Sequence, residues 1–195
     1  MCEQLKIWTG CSGFYNRHWK GIFYPENLPQ KDWFKFYAAH LPALELNATF
    51  YRFPTQKLLE KWYEGSPTRF LFAVKVPQII THFKRLNDCK SMLDDFYRTC
   101  GEALREKLAC ILFQFPPSFI FSPAHLMLIL QNCNSEFRNV CEFRHISWWN
   151  PQVIESLSVN GIVFCNVSHP SLPDQLNLNG DTAYIRIHGD PVMFH

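Results

Sequence analysis

Along this chain short apolar runs alternate with helix-forming segments, and nearly every apolar run ends on a polar or ionisable residue. LKIWTGC is followed by Ser12, LELN ends on Asn47, FLFAVK on Lys75 and CILFQ on Gln114. VCEFR closes on Glu142 and Arg144, VFCN on Asn166, and YIRIH on Arg186 and His188. Repeated strand–helix units call for parallel strands joined by right-handed crossovers. The strand interiors are otherwise apolar, as expected when both faces of a sheet are covered. A polar group at the same end of nearly every strand describes a ring around a barrel mouth, whereas a doubly wound sheet gathers its function at one switch point. The pattern predicts an α/β fold, a TIM-like (β/α) barrel with its chemistry at the carboxyl ends of the strands.

Seven strands are expected at about residues 5–11, 43–47, 70–76, 110–115, 139–144, 162–167 and 182–188. Helices are expected near 32–40, after Pro54 with Thr55 as N-cap, near 91–104, and from Ser122-Pro123 and Asn150-Pro151. HPSLPDQLNLNGD, ahead of the last strand, reads as irregular. A closing eighth strand is not visible, which would leave two unpaired sheet edges. With 195 residues and no linker or low-complexity tract, the expectation is a single domain over 1–195, incomplete at its C-terminal end.

A net charge of +2 is too small to imply polyanion binding by itself. No apolar run approaches the length of a membrane span, and MCEQLKIW has neither the basic region nor the apolar core of a signal peptide. The eight cysteines form no CxxC pair, and most fall inside predicted strands and helices. They read as small buried hydrophobes in a reducing compartment, most simply the cytoplasm.

The segments GCSGFYNRHWKGIFYPENLP, LELNATFYRFPT, FAVKVPQIITHFKRL, ILFQFPPSF, EFRHISWW and AYIRIHGDP, in this order, resemble the YecE-like family. The resemblance implies a TIM-like barrel with the site at the strand ends, and it names no substrate. It also implies a further final strand of YxYFNN type, so that this chain looks C-terminally truncated. Members often carry an acidic residue just after the sixth strand, where this chain reads NVSHP.

Period-two alternation places Asn47, Lys75, Gln114, Glu142, Arg144, Arg186 and His188 on the interior face at the mouth, with Glu45 one layer deeper. Three cations meeting two carboxylates suggest an anion site, with Arg144 and Arg186 as bidentate forks and Lys75 as a point charge. The plain alternative is an internal salt-bridge network in which Glu45 and Glu142 neutralise the arginines. Glu142 and His188 are candidates for a general acid/base pair, and Lys75 for a desolvated amine able to form a Schiff base. Tyr51 and Trp148 are candidates for stacking against a ligand, among many aromatics in the same loops. His82, His145 and His169 follow strands too, but no HExxH-like spacing occurs and the surroundings are cationic, so no metal is assigned. GxGxxG, P-loop and GxSxG motifs do not occur, and no cofactor is expected.

The first functional expectation is an enzyme acting by acid/base chemistry on a small anionic substrate, such as a phosphorylated sugar or nucleotide. The second is a nucleic-acid-processing or binding protein, with Lys20, Arg52, Lys84 and Arg85 as phosphate contacts around the mouth. The third is an inactive, truncated homologue. No membrane partner is expected, and the oligomeric state is left open.

Overall fold

The computed structural model describes residues 5–178 and 180–188. Seven strands follow one another around a curled sheet, every neighbouring pair parallel. They are β1 (Gly10–Cys11), β2 (Ala43–Leu46), β3 (Leu71–Lys75), β4 (Leu108–Gln114), β5 (Asn139–Glu142), β6 (Ile162–Ser168) and β7 (Tyr184–Ile187). The helices are α1 (Trp33–His40), the single turn α2 (Ala48–Tyr51), α3 (Gln56–Gly65), α4 (Lys90–Leu104), α5 (Pro123–Asn132) and α6 (Pro151–Val159). A π-helical turn, Ile79–Phe83, follows β3. This is the predicted half-open (β/α) arrangement.

The helix starts obey simple capping chemistry. Thr55, Ser122 and Asn150 each accept a hydrogen bond from the backbone N–H three residues on, at Leu58, His125 and Val153. Each satisfies a donor that the first turn cannot satisfy itself.

Alternation along the strands separates two apolar layers. Leu44, Phe72, Val74, Ile111, Phe113, Cys141, Phe143 and Phe164 face outward and pack under the helices in the larger core. Ala73, Cys110, Leu112, Val140, Val163, Cys165 and Val167 face inward and form a smaller belt across the barrel interior. The mouth residues stand above this apolar belt.

The first strand is shorter than expected. Only Gly10 and Cys11 pair with β2, while Leu5, Ile7 and Trp8 are exposed. Gly10 permits the close approach at this point: a Cβ there would sit 2.1 Å from the Ala43 carbonyl oxygen. Tyr37 of α1 ties the two strands, accepting from the Cys11 N–H at 2.6 Å and donating to the Ala43 carbonyl at 2.8 Å. β7 is shorter as well, and its outward Ile185 and Ile187 are exposed.

Two sequence expectations need correction. Asn166 faces outward with Phe164, not into the mouth. It accepts from the Asn177 N–H and donates to the Asn177 carbonyl, pinning the irregular segment before β7 to the sheet. Trp148 is fully buried on the outer side. It stacks on Phe143 at 4.2 Å between ring centroids and donates from Nε1 to the Phe119 carbonyl at 2.6 Å. Of the adjacent pair, Trp149 is the one that reaches the inner belt.

Seven cysteines fall among the described residues, all as free thiols. Burial pushes the thiols of Cys100, Cys110, Cys141 and Cys165 upward, Cys110 to about 12. Thiolate is the reactive form. Alkylation of the folded protein should therefore leave these four unmodified, with all four labelled after unfolding in urea. Rapid native labelling of any of them, read by peptide mass, would contradict their burial.

Candidate functional site

The mouth is organised around Arg186 on β7. Its Nε and Nη2 donate to the two oxygens of Glu45 on β2, at 3.0 and 2.8 Å, and its Nη1 donates to Glu142 Oε2 on β5. Tyr184, two residues earlier on the same face, donates its hydroxyl to Glu45 at 2.7 Å. The three nitrogens of Arg186 are thus taken up by two buried carboxylates. A guanidinium so occupied has no fork to offer a ligand, so the anion-binding role expected of Arg186 does not fit the geometry. Its role is to neutralise Glu45 and Glu142.

Glu142 is fully buried and meets Arg144 on its other oxygen. Burial alone would raise its carboxyl, but contact with His188 and the charges of Arg186 and Arg144 outweigh that and hold it at about 2. A carboxylate so stabilised is a weak base, and Glu142 is accordingly a counter-ion rather than the proton acceptor expected from sequence. Arg144 Nε lies 2.5 Å from Glu142 Oε1, an ion pair by distance, yet neither atom has a hydrogen-bond partner because the N–H points off that line.

His188 lies beside both arginines. Arg144 Nη2 is 2.9 Å and Arg186 Nη1 3.5 Å from its Nε2, while Glu142 Oε1 is 3.5 Å away. A guanidinium can only donate. A bond from either arginine therefore needs the lone pair of Nε2 as its acceptor.

Lys75 completes the cluster. It is buried, with its ammonium 4.1 Å from the centre of the Phe50 ring, and it has neither an ion-pair partner nor a hydrogen-bond acceptor for Nζ among the described residues. Burial first, then the charge of Arg186, lower its pKa to about 8, despite the opposing pull of Glu142 and Glu45. Phe50 is carried by α2, whose Thr49 hydroxyl lies within hydrogen-bond distance of the Leu46 and Lys75 carbonyls and so locks α2 against β3. His82, in the π-helical turn, packs edge-on against Phe50, 4.9 Å between ring centroids. Burial and then Lys75 lower its pKa.

The remaining expected residues are less central. Asn47 donates to the Ser12 carbonyl at 3.1 Å, and its buried Oδ1 has no hydrogen-bond partner among the described residues. Gln114 donates to the neighbouring Phe115 carbonyl at 2.8 Å. Tyr51 is exposed and turned away from Lys75, where its neighbour Phe50 sits. His145 caps a 3-10 turn through Ser147, and no group of three or more His, Cys, Asp or Glu arranged for a metal occurs among the described residues. Cavities of about 500 and 510 Å³ lie elsewhere, one at the amino ends of β4 and β5 beside Arg105 and Arg138, the other beside Arg17 and Trp33. Sequence reading passed over Tyr184 and treated Phe50 as a capping aromatic. Tyr184 shares its parity with Arg186, a signal that was present. The position of Phe50 depends on a one-turn helix that no periodicity announces.

The family model for "Protein of unknown function DUF72" matches residues 8–194. The chain belongs to this family. It is 28% identical over 201 residues to the UPF0759 protein YunF of Bacillus subtilis, covering 94% of this chain and 70% of that protein. It is 29% identical over 112 residues to the UPF0759 protein YecE of Escherichia coli, covering 56% of this chain and 40% of that one. The crystal structure of a DUF72 family protein from Thermotoga maritima superposes with a TM-score of 0.84 at 32% identity, over 94% of this chain and 75% of that one. One from Enterococcus faecalis gives 0.71 at 22% identity, over 80% and 69%, and supports the fold alone.

Proposed function

We propose that this DUF72 chain is an enzyme that binds a small anionic substrate on Lys75 and Arg144 at the barrel mouth, with His188 as its proton-transfer group. One contrast carries the reading. Among the described residues two lysines are buried, Lys75 and Lys107. Lys107 is satisfied by three acceptors, the Tyr63 carbonyl and the Ser66 carbonyl and hydroxyl, all within 2.9 Å. It is a structural staple. Lys75 has no such acceptor among the described residues, at the strand ends where barrel enzymes keep their sites. A buried cation without an acceptor is costly unless something pairs with it.

Supporting observations come from the neighbours. One buried side-chain polar atom of the strand-end ring, Asn47 Oδ1, has neither a hydrogen-bond nor an ion-pair partner among the described residues. Such atoms are rare in structural interiors. Arg144 is also the more accessible arginine, 17% exposed against 9% for Arg186. An anion that draws Arg144 Nη2 away would release the lone pair of His188 Nε2 to accept a proton.

A nucleic-acid ligand is less well supported. Lys84 donates to the Asp88 carbonyl and Arg85 to Ser118 Oγ, so both rim cations are engaged locally rather than arrayed as a track. A reducing, cytoplasmic setting forms part of the proposal, supported by free thiols at the barrel interior. No described helix is long and apolar enough to cross a membrane.

Calorimetric titration with inorganic phosphate and ribose 5-phosphate tests the reading. Arg144→Ala and Lys75→Met should each weaken binding by about 1.5–3 kcal/mol, the range for hydrogen bonds to charged groups. Wild-type affinity in both folded variants would defeat it. Tighter binding of a single-stranded oligonucleotide than of either small anion would favour the polyanion alternative.

A further inference from the structure

We propose that Lys75 is a covalent attachment point, condensing with the carbonyl carbon of a small anionic aldehyde or ketone whose acid group is held by Arg144. This rests on the small-anion reading above and adds the substrate class and the bond formed.

The geometry favours a nucleophile over a fixed charge. Among the described residues Lys75 Nζ has no hydrogen-bond acceptor and no carboxylate within ion-pair distance, and the centre of the Phe50 ring lies 4.1 Å away. The side chain emerges from β3 directly above the apolar inner belt of Leu112 and Val140. An interior amine in such surroundings is the usual design of a Schiff-base lysine. The charged and titratable groups facing it are Glu45 on β2, Glu142 and Arg144 on the β5 edge, Arg186 on β7, and His82 in the turn after β3. With its pKa near 8, Lys75 holds on the order of a hundredfold more neutral amine at pH 7.5 than an ordinary lysine does.

The chemistry balances without an added reagent. The Nζ lone pair attacks the carbonyl carbon, and the carbonyl π pair moves to oxygen, which is protonated. The resulting carbinolamine loses this oxygen as water while nitrogen forms the C=N bond. The overall change is amine plus carbonyl to imine plus water, with no oxidation. His82, whose Nδ1 is held 2.9 Å from the Thr81 hydroxyl, and His188 are the groups placed to carry the protons.

The test is reductive trapping with the full chain. Glyoxylate, pyruvate and glyceraldehyde 3-phosphate are each added with sodium cyanoborohydride, and the product is mapped by peptide mass spectrometry. One probe should give a single reduced adduct on Lys75, forming on the order of a hundredfold faster than on any surface lysine, in keeping with the neutral-amine fraction. The rate should rise as pH passes through about 8 and level off above it. Lys75→Met should lose the adduct. Lys75→Arg, which keeps a positive charge but has no nucleophilic amine, should lose it too. Phosphate binding without any Lys75 adduct overturns this inference and leaves the small-anion reading standing. Absence of both overturns the two together. Labelling of Lys75 no faster than surface lysines also overturns the inference.

Discussion

Arg186→Ala is expected to destabilise the chain by about 3–5 kcal/mol, the cost of removing one partner from a buried ion pair. The substitution leaves Glu45 and Glu142 facing each other across the interior without the guanidinium that bridges them. The midpoint of urea unfolding at pH 7 measures the effect. Adding Glu45→Gln and Glu142→Gln to Arg186→Met should recover much of the loss, because no uncompensated charge then remains. The pH dependence has a definite sign. Glu142 titrates near 2 in the folded chain and near 4.5 in the reference state, so its stabilisation is present above 4.5 and is lost as pH falls toward 2. Most of that depression depends on the arginines and His188. The acid limb of the stability curve should therefore flatten in Arg186→Met. A loss below about 1 kcal/mol, well under the buried-pair range, would mean that Arg186 is not the structural keystone and is free to meet a ligand.

Lys75→Met should act in the opposite direction and stabilise the folded chain by about 2–3 kcal/mol at pH 7. The folded amine titrates near 8, below its reference value of 10.5, so between these values the unfolded chain binds more protons and wild-type stability rises with pH. Below 8 the full penalty applies, on the order of 3 kcal/mol from the shift, with the contact to Phe50 already part of the balance. The gain from methionine should thus be largest at neutral pH and shrink toward pH 10. A stabilised but ligand-blind variant is the usual mark of a residue kept for function. Equal destabilisation at pH 7 and pH 10 would instead show that the lysine stem packs in a way methionine cannot reproduce.

Much of this site was legible in the sequence because side-chain parity in a parallel strand is rigid. Glu142 with Arg144, and Arg186 with His188, fell on one face by alternation alone, and the structure brings them together. Asn166 was misplaced although the same rule applied: Cys165 and Val167 face inward, so Asn166 cannot. Trp148 was misplaced for another reason. It sits in a 3-10 turn, where neighbours diverge by packing rather than by period, and the outer aromatic layer took it. The occupation of Arg186 could not be read, because it depends on distances between residues separated by 141 and 44 positions. The first strand was overextended because an apolar run signals burial and says nothing of how closely two backbones can approach.

The bonds of Arg186 to Glu45 and Glu142 also bear on how the chain acquires its structure. Glu45 and Glu142 lie on strands that can pair with their neighbours early, but neither is neutralised by Arg186 until β7 docks. Contacts of such long sequence separation form late, because loop-closure entropy is lost before they are gained. During vectorial synthesis Glu142 already has Arg144 beside it, but Glu45 would remain an interior carboxylate that favours solvent over the barrel. That charge opposes premature collapse of the inner face, and the docking of β7 removes the opposition.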